Sequence, residues 1–250
     1  MHLEGSEGWR LRGILTGVHP GSEMEIPANT FRAVSVAMEG DLEVINRAGV
    51  KISKRGAVGR TLVFASIGPT GRMLMAGEIC PEQASAAFSA QAAVLVAAGA
   101  DALLVERMSE MDEARLAVAA AGSTGLSVIV SFAFDSGKNK DRTTMGVTPE
   151  AAVMVEMGAA AVGANCGVGV EHVVPICRRL HTAFDLPIWI RPNAGLPNME
   201  GTAIRYGASA KFFASHYAAL REAGASFPGG CCGSTPDFIR ALVRARCASS

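Results

Sequence analysis

The chain has 250 residues, of which 49% are hydrophobic and 18% charged, enough for a sizeable core and inconsistent with global disorder. Twenty-three basic residues balance 23 acidic ones, and no Lys/Arg stripe stands out, which argues against nucleic acid as a partner. Apolar runs such as Ala92–Ala98 are too short to span a bilayer, and the opening Met1-His2-Leu3-Glu4 lacks a signal-peptide pattern, so a cytoplasmic protein without membrane attachment is expected.

At the N-terminus, Arg12–Leu15 is a possible first strand, with little room for a helix before the Asn29-Thr30-Phe31 turn. An early unit lies around Glu25–Val50. From about Arg60 one rhythm repeats: a short apolar run, a turn rich in Gly, Pro or Ser, then a longer helical stretch. Strands are predicted at Leu62–Ile67, Ala102–Glu106, Ser127–Phe132, Ala160–Asn165, Pro187–Arg191 and Ala225–Gly229. Their near-continuous apolar character is that of parallel strands covered by helices. Helices are predicted at Glu82–Ala98, Glu110–Ala121, Pro149–Met157, Glu171–Ala183, Ser209–Ala223 and Pro236–Arg246. Thr148-Pro149-Glu150 and Thr235-Pro236-Asp237 each set a capping hydroxyl before a first-turn proline and an acid.

A period of roughly 30 to 40 residues is that of a βα unit. With the early unit the count points to a (β/α)8 TIM-type barrel, a single α/β domain over residues 1–250 with an abbreviated first unit. A doubly wound sheet is the alternative, but no Gly-x-Gly-x-x-Gly follows an early strand.

Barrel chemistry collects where strands end. Cys166 follows the strand Ala160–Asn165, and Cys231 and Cys232 follow the last strand within Gly229-Gly230-Cys231-Cys232-Gly233. Adjacent cysteines rarely bridge each other, and six cysteines in a large chain without a secretion signal favour reduced thiols or metal ligands. Three cysteines on one rim suit a zinc ion with one coordination position open. Cys80, Cys177 and Cys247 stand alone and read as ordinary buried cysteines. A lyase or aldolase barrel would need a strand-end lysine, and no predicted strand ends in one.

The Asn165-Cys166 pair, the Gly229–Gly233 element with Ser234-Thr235-Pro236, and Arg191-Pro192-Asn193-Ala194-Gly195-Leu196-Pro197 resemble the homocysteine S-methyltransferase family. Asn29-Thr30-Phe31, Gly68-Pro69-Thr70-Gly71, Ala98-Gly99-Ala100-Asp101 with Glu106, and Gly146-Val147-Thr148-Pro149-Glu150 extend the resemblance over about residues 25–245. It implies a zinc-dependent barrel that methylates homocysteine to methionine, with Cys166, Cys231 and Cys232 as metal ligands and the substrate thiolate as the fourth. It also implies that Glu106 meets the substrate amino group; from the residues alone, an ion pair with Arg107 is an equal reading. The family usually has Thr where Arg107 stands, and nothing before Asn29 matches its Asp-Gly-(Ala/Gly)-x-Gly-Thr element. Asn29, Ser131, Asn165 and Asn193 fall at strand ends as further substrate-binding candidates, with turn capping or support of the ligands as the plainer alternative. Aromatic residues are only 6%, too few to favour a cage for a betaine or S-methylmethionine donor. A methyl-corrinoid or methylfolate-linked donor on a separate corrinoid protein is favoured. The alternative function is a non-catalytic zinc-binding barrel serving as a partner subunit in methyl transfer.

Overall fold

Residues 42–57, 61–108, 110–134, 147–200 and 203–248 are described by the computed structural model. Asn29, the proposed strand Arg12–Leu15 and most of the Glu25–Val50 unit lie outside them. The chain groups into two compact units, residues 1–130 with 156–160, and residues 131–155 with 161–250.

In the first unit, α1 (Leu42–Ala57) buries Asn46, Val50, Ser53 and Ala57, a spacing of three to four residues that keeps one helical face inward. The parallel strands β1 (Phe64–Ile67) and β2 (Ala102–Met108) follow, with α2 (Pro81–Ala97) between them and α3 (Met111–Gly122) after. The Ala98–Asp101 turn ties these together. Gly99 takes a φ of 97°, a conformation costly for other residues, and Asp101 accepts from the Val63 backbone at 2.6 Å and from Lys54 of α1 at 2.6 Å. Leu103 N donates to Ser127 O at 3.0 Å, which sets β3 (Val128–Phe132) beside β2. Glu113 of α3 is 3% exposed and accepts from both the backbone and hydroxyl of Thr70 at 2.6 Å, anchoring the loop after β1.

The second unit contains α4 (Val147–Glu156) except its last residue, β4 (Ala161–Gly169), α5 (Val170–Ala183), β5 (Ile188–Asn193) and β8 (Ala225–Pro228). Here β5 is central, paired in parallel with β4 on one side and β8 on the other. Trp189 and Phe227 stack at 5.5 Å between β5 and β8, and the last helix, α8 (Pro236–Ala248), sets Phe238 edge-on to Phe213 at 5.4 Å.

Parallel strands alternating with helices bear out the α/β reading, and each strand predicted within the described residues is found to within a few residues. Two departures have physical causes. The helix predicted at Ser209–Ala223 divides at His216 into α6 (Ala210–Ser215) and α7 (Tyr217–Glu222). There His216 sits at φ −87°, ψ 0°, with its ring Nδ1 3.0 Å from Phe212 O. Between β5 and α6 lies an unpredicted antiparallel hairpin, β6 (Pro197–Glu200) with β7 (Ala203–Tyr206). Its first strand is wholly exposed, so no hydrophobic alternation marked it. No described helix is long and apolar enough to cross a membrane.

Candidate metal centre

Strand β4 runs past its predicted end because of a bulge. Asn165 is opposite Arg191, but the next pair is Gly169 with Asn193, so four steps on β4 face two on β5. The excess is taken up at Cys166 and Gly167, whose φ values are 62° and 67°. A left-handed conformation is uncommon outside glycine. At Cys166 it turns the thiol out of the strand's alternation.

The cysteine pair is held by the continuation of β5. Gly229 N donates to Ile190 O at 2.8 Å, Cys231 N to Pro192 O at 2.9 Å, and Ala194 N to Cys232 O at 2.9 Å. Arg191 Nε adds a bond of 2.9 Å to Gly230 O, with its guanidinium 5.5 Å from the Trp189 ring centre. The Arg191–Ala194 motif thus acts as a template for Gly229–Cys232. Gly233, at φ 75°, has no room for a side chain, since an added Cβ would lie 2.2 Å from Cγ of Tyr206. That contact seats the β6–β7 hairpin beside the cysteines.

Cys166 Sγ lies 3.7 Å from Cys232 Sγ, Cys231 Sγ lies 3.9 Å from Cys232 Sγ, and all three sulfurs fall within 4.8 Å of one another. Tetrahedral zinc with Zn–S bonds of ~2.3 Å places its sulfur ligands ~3.8 Å apart. The donor set and its spacing fit zinc. Cys231 is 7% exposed and the other two cysteines are half-buried, which leaves a side open to an incoming ligand. Sharing hydrogen bonds with Cys166 and Cys231, together with burial and the neighbouring sulfurs, drives the Cys232 thiol far above the usual range. Several thiolates are compatible this close only around a cation.

The remaining predicted site residues separate. Asn165, 1% exposed, directs Nδ2 to Cys231 Sγ at 3.7 Å, which places it behind that sulfur. Asn193, 4% exposed, lies between the two residues that bind the cysteine backbone, and its Oδ1 is buried without a hydrogen-bond partner among the described residues. Ser131 on β3 is fully buried, with its hydroxyl likewise unpartnered among them. Glu106 belongs to the first unit, half-buried on β2, where Ser66 donates to its Oε1 at 2.6 Å. Asn29 lies outside the described residues.

Cys177 is buried as expected, donating to Leu220 O and Ala223 O, and burial pushes its thiol up to about 12. Cys80 and Cys247 correct the expectation of burial, since both are exposed. Each sits at a surface helix end, Cys80 ahead of Pro81 at the start of α2 and Cys247 in the last turn of α8. Sequence reasoning missed Ser66, Arg191 as a brace, and Tyr206. Only Arg191 carried a signal, through its place in the Pro-Asn-Ala-Gly motif.

A family model described as homocysteine S-methyltransferase matches residues 21–246. A methionine synthase of Mycobacterium leprae is 27% identical over 243 residues, covering 89% of this chain and 20% of that protein. The chain therefore spans about a fifth of that relative's length. The Escherichia coli homocysteine methyltransferase MmuM matches over 93% of this chain and 79% of its own. Its metallated form has a TM-score of 0.72 at 20% identity, and its apo form 0.66 at 21%. The fold is shared with these structures.

Proposed function

The chain belongs to the homocysteine S-methyltransferase family, and from this premise we propose that it is a zinc-dependent methyltransferase that methylates the thiol of homocysteine to give methionine. The observation that carries the reading is the sulfur triangle, with edges of 3.7 and 3.9 Å to Cys232. Cys166, Cys231 and Cys232 would hold the zinc through their three sulfurs, and a three-cysteine set would leave a position for substrate. When bound, zinc supplies the displacement of the thiol proton that makes sulfur nucleophilic near neutral pH.

The chain's own groups then place the substrate. Asn165 holds Cys231 from behind. The buried Asn193 Oδ1 and Ser131 Oγ offer polar atoms that a bound amino acid would satisfy. Glu106, in the first unit, stays the candidate for the substrate ammonium on the family motif, a role that suits a half-buried carboxylate. Asn29 stays a substrate-binding candidate on its motif alone. The reaction belongs in the cytoplasm, where such thiols stay reduced. A methyl-corrinoid or methylfolate-linked donor, presented by a separate corrinoid protein, is favoured over betaine or S-methylmethionine by the 6% aromatic content. The match to part of a methionine synthase supports the same choice.

The test is metal analysis with a donor panel. Protein purified with zinc is expected to hold an equimolar amount and to form methionine from homocysteine with methylcobalamin. Zinc without product from any of methylcobalamin, methyltetrahydrofolate, betaine or S-methylmethionine would refute the enzyme. Retention of zinc after Cys231→Ser with Cys232→Ser would refute the site.

A further inference from the structure

We infer that Arg191 is a positioning residue for the metal centre, its side chain supplying the tie that Pro192 removes from the backbone ladder beneath Cys231 and Cys232. That role rests on the reading of these cysteines as zinc ligands, and it names the group that keeps them in place before a metal arrives. Strands β5 and β8 pair in parallel, with Ile190 opposite Pro228. The same register carried forward sets Arg191 beside Gly229 and Asn193 beside Cys231. The bonds from Gly229 N to Ile190 O and from Cys231 N to Pro192 O are its rungs in one direction. A parallel ladder also returns a bond from the N–H of residue 192 to Gly229 O, and proline has no N–H to give. The next returning bond, from Ala194 N, goes to Cys232 O rather than to Cys231 O. The segment that carries two of the three sulfurs is thus short of one rung and shifted at another.

Gly229 and Gly230 sharpen the need, because two glycines in a row have no side chain to anchor them and are costly to order. Arg191 meets it from β5. Its Nε donates to Gly230 O at 2.9 Å, one peptide beyond the missing rung and immediately before Cys231. The stem runs past Gly229, where an added Cβ would lie 3.2 Å from Arg191 Cγ and crowd it. The guanidinium in turn stands 5.5 Å from the centre of the Trp189 ring, which is 1% exposed and packed on Phe227. Trp189 and Arg191 are two apart on one strand and share a face, so the ring holds the guanidinium at the Gly230 carbonyl. Lysine has neither a donor at that point of its stem nor a planar face to stack. The Gly230 peptide leads directly into Cys231, so a rotation there would move the sulfurs off the edges of 3.7 and 3.9 Å that fit zinc.

The experiment is zinc competition against a chromophoric chelator, with the full chain as wild type, Arg191→Lys, Arg191→Met, and Arg191→Met combined with Pro192→Ala. The Tm of each without metal and the spectrum of each with Co2+ are recorded beside it. Arg191→Lys and Arg191→Met are each expected to weaken zinc by about tenfold or more and to shift the Co2+ thiolate bands. Their metal-free Tm should fall only by the few degrees of one lost hydrogen bond. Pro192→Ala gives the ladder its N–H back and should recover most of the affinity lost in Arg191→Met. Zinc held by Arg191→Met as tightly as by wild type would overturn the inference. So would a lower metal-free Tm with zinc affinity and Co2+ bands unmoved, the mark of a purely structural role. Full affinity in Arg191→Lys with loss in Arg191→Met would overturn it as well, since charge rather than the Nε bond would then act. No recovery on Pro192→Ala would show that Arg191 does not stand in for the missing rung. A wild type that binds no zinc would instead overturn the reading of the cysteines, and the role of Arg191 with it.

Discussion

At the scale of single residues, the proposed metal centre depends on a cysteine in an unfavourable conformation. Cys166 at φ 62° carries a strain of about 1–3 kcal/mol of the kind that collects at functional sites. The three cysteines were legible in the sequence because an adjacent pair between glycines suits metal ligation far better than a mutual disulfide, whose geometry would be strained. The bulge that brings Cys166 to them was not, since it is a mismatch between β4 and β5 rather than a property of either. The same limit hid Ser66, whose partner lies 40 residues away. Asn165 shows what a supporting residue does here. Its N–H on Cys231 Sγ orients that sulfur and draws charge from it. Asn165→Ala should weaken zinc by about tenfold or more and shift the thiolate charge-transfer bands of the Co2+-substituted protein. Wild-type affinity together with an unmoved spectrum would show that the contact has no influence on the metal.

Among the elements, those with a strong apolar signal appeared where the sequence placed them, and those governed by partners did not. Gly163 illustrates the difference. An added Cβ would stand 1.8 Å from Trp189 O, so the glycine sets how closely β4 approaches β5, but nothing local announces it. The exposed hairpin β6–β7 was invisible for a related reason, because it is recruited by Gly233 through Tyr206 rather than by a hydrophobic face. Cys177 of α5 is an element-level tie, donating to Leu220 O and Ala223 O at the end of α7. Burial raises its thiol from 9.0 to about 12, so the folded state prefers the neutral form. The resulting stability is complete below pH 9.0 and is lost as pH rises toward about 12, because the unfolded chain ionises first. The slope is about 1.4 kcal/mol per pH unit over that window. Ser takes over the donor role without ionising. The urea midpoints of wild type and Cys177→Ser should therefore diverge as pH rises from 9.0 toward about 12, with wild type falling faster. Parallel curves would mean that the thiol does not titrate on unfolding.

For the molecule as a whole, the repeat of strand and helix was enough to give the α/β class, since it depends on periodicity that every unit expresses. Which units enclose the site depends on pairing across the chain, and that came from the structure. All three sulfurs belong to the second unit, Cys166 within β4 and Cys231 and Cys232 after β8, 65 residues on and across β5. A metal that joins them closes a long loop that no covalent bond closes, because all three cysteines are free. Binding to the folded state alone stabilises it by about 2.7 kcal/mol at free zinc a hundredfold above Kd. Chelation should therefore lower Tm by several degrees. Amide exchange should quicken after chelation at residues 166–169 and 229–234, the segments that bear the ligands, while β1 and β2 keep their protection. The sign of the pH effect follows from the thiols. Cys232 holds its proton far above the usual range without a cation, so zinc must displace protons to bind, and its affinity should fall as pH is lowered. A Tm that ignores the chelator, or an affinity that rises with acid, would mean that the sulfurs are not the ligands. Uniform loss of protection over both units would instead mean that the metal supports the entire fold, and the cysteine centre would then be a structural site rather than one open to a substrate thiol.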